Sequence, residues 1–126
     1  MTSIGRILVV QIDCEDPVGL GRFWSRLLDM PVEEVLGDPA QYLNLAPPVN
    51  APNSPGIALQ RVPEPKRGKN RVHLDIEVDD VDAATERIEA LGGRQASAVD
   101  VSEHGYNWRV MADPEGNEFC LIFIQT

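Results

Sequence analysis

Two stretches of the chain carry the same pattern. Residues 7–17 read ILVVQIDCEDP and residues 71–81 read RVHLDIEVDDV, at a constant offset of 64. Ile12 coincides with Ile76 and Asp16 with Asp80, and most other positions agree in size or polarity. Apolar and polar residues alternate in both copies, which is typical of a half-buried β-strand. The chain is therefore predicted to contain an internal duplication.

A helix is predicted after each of these strands. Asp16 followed by Pro17 is typical of a helix N-cap with proline at the first helical position, and Asp79 or Asp80 can cap the second helix. Apolar residues at helical spacing follow both caps, and the two glycines at 92–93 are expected to end the second helix.

The ends of the two copies also align. YLNLAPP (42–48) is similar to WRVMADP (108–114), and GIALQRV (56–62) is similar to GNEFCLI (116–122). DPEGN at 113–117 predicts a tight turn, whereas its counterpart PPVNAPNSPG at 47–56, hereafter the flap, is longer and rich in proline.

These patterns predict an α+β fold within a single domain spanning residues 1–126. Two tandem βαβββ modules, 4–62 and 71–126, are joined by a linker at 63–70. They are expected to form a curved mixed sheet around a shared concave cup, with the helices on the outer face.

Composition restricts the partners and the compartment. The hydrophobic share of 43% and charged share of 25% are globular values, and the net charge of −9 argues against nucleic acid and against anionic membranes. Neither a signal peptide nor a membrane-spanning stretch is recognisable. The two cysteines lie far apart and are expected to be free thiols, so we predict a cytoplasmic protein.

Three segments, CEDPVGLGRFWSRLLDM (14–30), VHLDIEVDDVDAA (72–84) and DPEGNEFCLIF (113–123), resemble the vicinal oxygen chelate superfamily. This group includes glyoxalases, bleomycin and fosfomycin resistance proteins and extradiol dioxygenases. The resemblance extends from about residue 7 to residue 124 and is nearest to the glyoxalase-like branch. It implies the fold predicted above and a possible homodimer.

The resemblance also implies four positions for metal ligands: Val9, Gln60, His73 and Cys120. Only His73 is a usual ligand, because valine has no donor atom, the glutamine oxygen is neutral and cysteine is soft. A site shifted toward the carboxylates of Asp75, Glu77 and Glu118 is disfavoured, since strand neighbours two residues apart stand about 7 Å from one another. No cofactor is therefore expected, and a divalent metal is the alternative.

The cup is predicted to hold a small molecule between aromatic walls and a few polar groups. Its ligand-binding residues are predicted to be Val9, Gln11, Tyr42, Asn44, Gln60, His73, Asp75, Trp108, Val110 and Cys120. The predicted function is metal-independent binding of an apolar or aromatic compound. The alternatives are a lyase, isomerase or dioxygenase-like enzyme with catalytic His73 and, as a third possibility, a structural partner whose role is association. The aromatic side chains could instead fill the cup as core.

A basic cluster lies in and beside the linker. Its members, Lys66, Arg67, Lys69 and Arg71, could form a solvated surface or a lip that attracts an anionic ligand.

Overall fold

In the computed structural model, which describes residues 3–124, the chain forms two helices and two mixed sheets of four and five strands. The order of elements is β1 (Val9–Cys14), α1 (Pro17–Leu28), β2 (Val32–Leu36), β3 (Tyr42–Leu45), β4 (Gly56–Arg61), β5 (Leu74–Glu77), α2 (Val81–Ala90), β6 (Arg94–Gln95), β7 (Val101–Glu103), β8 (Tyr106–Ala112) and β9 (Glu118–Phe123). The predicted α+β class and βαβββ order are confirmed, with one additional short strand in the second copy. Chain contacts define unit 1, which ends at Pro65, and unit 2, which begins at Lys66.

Unit 1 contains a sheet in the order β1-β4-β3-β2, in which β1 runs parallel to β4 and the other pairs are antiparallel. The Asp16 carboxylate accepts a hydrogen bond from the Gly19 backbone N–H at 3.1 Å, which confirms the predicted cap of α1. The helix ends at Asp29, whose φ of 53° is left-handed. Phe23 and Trp24 are buried and form part of the core of this unit.

Unit 2 contains a sheet in the order β5-β9-β8-β6, with β7 also paired to β8. Asp80 caps α2 by accepting from the Ala83 N–H at 3.0 Å, and Gly92 after the helix has a φ of 105°. The turn at 113–117 depends on Asp113, whose fully buried carboxylate accepts from the backbone N–H groups of Glu115 and Asn117. The turn is therefore held by charge-assisted hydrogen bonds as well as by Gly116 at positive φ.

The strand registers correct one part of the internal alignment. Asp13 lies opposite Gln60 in unit 1, and Glu77, its equivalent at the offset of 64, lies opposite Ile122 in unit 2. The equivalent of Gln60 is therefore Ile122. By the same register, Cys120 corresponds to Ala58.

The antiparallel ladders also indicate that Gln60 and Ile122 are equivalent, because Tyr42 pairs with Gln60 and Trp108 pairs with Ile122. The alignment of 56–62 with 116–122 was two residues out of register. It was wrong because both strands are short apolar runs in which a shift by two preserves the face of every side chain.

Cys14 and Cys120 are free thiols, as expected, and both are buried. They lie on strands of different sheets. Among the described residues, no helix is long and apolar enough to cross a membrane.

Candidate functional site

A cavity of about 490 Å³ lies in unit 2, over the sheet face opposite α2 (the unit 2 cavity). Arg109 of β8 contacts α2, so strand alternation turns its neighbours Trp108 and Val110 to the other face. These two side chains form an apolar floor together with Cys120 and Ile122 of β9. Trp108 pairs with Ile122 and Val110 with Cys120, so the four residues are direct cross-strand neighbours.

His73 and Asp75 are the polar groups beside this floor. His73 Nδ1 lies 3.0 Å from Asp75 Oδ1, and the two side chains are 44% and 54% exposed. A carboxylate at this distance favours the tautomer that carries its proton on Nδ1 and restrains the orientation of the ring. In that tautomer Nε2 is a hydrogen-bond acceptor.

Cys120 is paired with Asp75 in the parallel ladder of β5 and β9. Burial raises the pKa of the Cys120 thiol, and the nearby Asp75 carboxylate raises it further. The thiol is therefore protonated at neutral pH and is a weak nucleophile.

The side chains of His73, Asp75 and Cys120 come closer together than sequence spacing indicates. One possible ligand atom from each lies within 4.8 Å of the other two. The expectation that the spacing of about 7 Å along a strand would keep His73 and Asp75 apart was wrong, because it measured the backbone and not the reach of the side chains.

The remaining residues around the unit 2 cavity are polar or aromatic: Lys69, Glu103, His104, Tyr106 and Glu118. Tyr106 could have been found by extending the alternation of Trp108 and Val110 back by two residues. Glu103 pairs with Tyr106 in the short hairpin of β7 and β8, which has no counterpart in the predicted module. His104 is exposed and also lines the cavity.

Five of the ten predicted ligand-binding residues line the unit 2 cavity: His73, Asp75, Trp108, Val110 and Cys120. The other five lie in unit 1. Val9, Gln11 and Asn44 line a separate hollow of about 720 Å³, which the flap borders through Pro47, Pro52, Asn53 and Ser54. The Gln60 amide donates to the Tyr42 hydroxyl at 3.4 Å, so these two residues partner each other.

A family model for the glyoxalase-like domain matches residues 9–122. The chain belongs to the glyoxalase-like domain family. A search of curated proteins finds no match.

Solved structures of glyoxalase-like and related proteins share the fold. A glyoxalase/bleomycin resistance protein/dioxygenase family enzyme from Burkholderia phytofirmans PsJN superposes with a TM-score of 0.68 at 17% identity, covering 93% of this chain and 97% of that one. TioX from Micromonospora sp. ML1 gives 0.62 at 16% identity, covering 96% and 100%. The fosfomycin resistance protein FosX from Listeria monocytogenes, in a complex with Mn(II) and 1S,2S-dihydroxypropylphosphonic acid, gives 0.72 at 14%, covering 96% and 90%. These identities support the fold and not a shared activity.

The cluster of His73, Asp75 and Cys120 offers three possible ligand atoms. The four positions that the resemblance implies, with Ala58 in place of Gln60 by the strand register, do not fit a hard ion such as the Mn(II) in the FosX complex. Val9 has no donor atom, and Ala58, the register equivalent of Cys120, has none either. Cys120 offers sulfur, which Mn(II) disfavours relative to oxygen. We therefore assign no catalytic step to a metal ion at the four positions.

Proposed function

We propose that this protein binds a small molecule in the unit 2 cavity and needs no metal to do so. The observation that carries the proposal is the combination of an apolar floor, made by Trp108, Val110 and Ile122, with the polar pair His73 and Asp75 beside it. Small-molecule sites are typically apolar concavities with a few convergent polar groups. The volume of about 490 Å³ lies within the range of such sites.

Family membership supports this proposal only in a general way. The same fold occurs in proteins described as resistance proteins and as enzymes. A binding role requires a cavity and not a catalytic set, so the divergent donor residues described above are compatible with it.

The test is a titration with N-phenyl-1-naphthylamine, a neutral fluorophore whose emission rises in apolar surroundings. We expect saturable binding, quenching of tryptophan emission, and the same affinity after treatment with EDTA. The Trp108→Phe variant should lose the quenching, because the other tryptophan, Trp24, is 1% exposed in the core of unit 1. Emission that rises without saturation, or quenching that persists in Trp108→Phe, would contradict binding in this cavity.

Metal independence has its own measurement. Elemental analysis of the purified, tag-free protein should find no stoichiometric divalent ion. One tightly held ion per chain would overturn this part of the proposal and leave small-molecule binding standing.

A second candidate function is favoured by the short distance between His73 and Asp75. An imidazole oriented by a carboxylate can act as a general base, with Nε2 accepting a proton from a substrate in the cavity. This arrangement would suit a lyase or isomerase with an atypical site centred on His73. Product formation that His73→Ala abolishes and Asp75→Asn reduces would establish the enzyme, whereas a binding protein shows no turnover in any variant.

We also propose that the protein is a cytoplasmic homodimer. The support is the free state of both cysteines and the family resemblance. Light scattering coupled to size-exclusion chromatography should give twice the monomer mass of 13.9 kDa.

A further inference from the structure

We propose that the ligand of the unit 2 cavity is an organic cation with a flat apolar or aromatic body. This inference rests on the proposed function, since it names the class of molecule that the same cavity takes. It depends on the charges around the cavity and on the strands that carry them.

The charged side chains around the cavity are mostly acidic. One lysine, Lys69, stands against three carboxylates, Asp75, Glu103 and Glu118, which leaves a formal charge of −2 when His73 and His104 are neutral. Lys69 forms its ion pair with Glu118, so its charge is already compensated. A cavity with this balance attracts a cation and repels an anion.

The two carboxylates that do not pair with Lys69 are those of Asp75 and Glu103. They lie on the two outer strands of the cavity. In the order β5-β9-β8-β7, Asp75 belongs to β5 and Glu103 to β7, while β9 and β8 between them supply the apolar floor. Within residues 3–124, Glu103 forms no salt bridge. An acidic group is therefore available beside an apolar surface.

The aromatic residues favour the same class of ligand. Tyr106 and Trp108 are two residues apart on β8 and both line the cavity. Aromatic ring faces attract ammonium groups, and tryptophan does so best. A flat organic body can occupy the floor while its cationic group lies near a ring face and a carboxylate.

The structure does not support the alternative that the basic cluster attracts an anionic ligand. Of the basic cluster Lys66, Arg67, Lys69 and Arg71, only Lys69 lines the cavity, and it is paired. Lys66 donates to the backbone carbonyl of Gly68. The net charge of −9 on the whole chain also opposes the approach of anions.

The test compares three probes with one naphthalene body: (2-naphthylmethyl)trimethylammonium, 2-naphthylmethanol and 2-naphthylacetate. Isothermal titration calorimetry at low ionic strength should give a Kd for the cation about tenfold below that of the alcohol, with the anion weakest. Added salt should weaken cation binding and leave the alcohol unchanged.

Two variants locate the effect in this cavity. Glu103→Gln should raise the Kd of the cation about threefold without changing that of the alcohol. Glu86→Gln removes the same charge from an exposed position of α2 and should change neither value.

Equal affinity for all three probes, or preference for the anion, would overturn the cation inference while the proposed function stands. Tight binding of N-phenyl-1-naphthylamine without binding of the cation would also overturn the cation inference and leave the proposed function standing. If neither that fluorophore nor any naphthalene probe binds, both proposals fail.

Discussion

Leu43 of unit 1 and Arg109 of unit 2 occupy equivalent places, and they connect sheet to helix in different ways. Leu43 packs so tightly against α1 that a Cβ added to Gly21 would lie 2.7 Å from one of its methyl groups. At the equivalent places in unit 2, the Arg109 guanidinium donates to the Thr85 hydroxyl of α2 at 2.9 Å and pairs with Asp100 and Asp82. One contact is apolar packing and the other is a network of charged hydrogen bonds.

The sheet faces that point away from the helices differ more between the two units than the faces that contact them. His73, Asp75 and Cys120 of unit 2 correspond to Val9, Gln11 and Ala58 of unit 1. The duplicated pattern thus repeats the positions that build the fold, such as the helix caps, while the ionisable groups at these three positions lie in one copy. The fold and the chemistry of a module therefore depend on different positions.

The largest effect is expected at the turn that replaces the flap in unit 2. Asp113→Ala removes a fully buried acceptor of two backbone N–H groups, so unfolding free energy should fall by about 3 kcal/mol and the melting temperature by about 10 °C. Differential scanning calorimetry measures both. The exposed Asp79→Ala variant should stay within about 0.5 kcal/mol of the wild type. Equal melting temperatures for Asp113→Ala and wild type would show that the turn does not stabilise unit 2.

The charged network of unit 2 should make stability depend on pH. Hydrogen bonding from Arg109 lowers the pKa of Asp100, against an opposing effect of burial. The folded pKa is below the unfolded one, so this contribution is present above about pH 4 and is lost as the pH falls through the lowered pKa.

Asp100→Asn should therefore cost about 2 kcal/mol at pH 7 and progressively less as the pH falls below about 4, by urea unfolding. Asp82, the other carboxylate of the network, has a side chain that is 84% exposed, so Asp82→Asn should cost under about 0.5 kcal/mol. A cost that does not vary with pH would argue against the ion pair.

Binding should distinguish the two units through their equivalent aromatic residues. Trp108→Ala should weaken N-phenyl-1-naphthylamine binding at least about tenfold, because it removes the largest part of the apolar floor. Tyr42→Ala changes the corresponding residue of unit 1 and should leave the Kd within about twofold. The reverse order of effects would move the proposed site to unit 1.

The smallest effect concerns the reactivity of Cys120. In a Cys14→Ala background, alkylation by iodoacetamide should reach half its maximal rate above the ordinary thiol pKa of about 8.5. Asp75→Asn should move this midpoint down, since the Asp75 carboxylate is one cause of the raised pKa. A midpoint below pH 8 in the starting variant would contradict the environment described for the thiol.

Much of the fold could be predicted from the sequence, because its signals are local. Asp16 and Asp80 cap helices through their own side chains, and alternation in residues 7–17 and 71–81 assigns the faces of two strands. The register of β9 could not be predicted, since a shift by two residues leaves the alternation unchanged. The flanking residues Glu103 and Tyr106 were missed because the short strand β7 has no periodic signal of its own.

The sequence alone determined the duplication, the helix caps, the tight turn and the absence of a usual ligand at Val9, since each depends on residue types at short spacing. The tertiary structure decided which strands pair and in what register. It thereby brought His73, Asp75 and Cys120 within 4.8 Å and placed Glu103 at the edge of the same cavity. Asp75 and Cys120 are 45 positions apart along the chain, and only the pairing of β5 with β9 makes them neighbours.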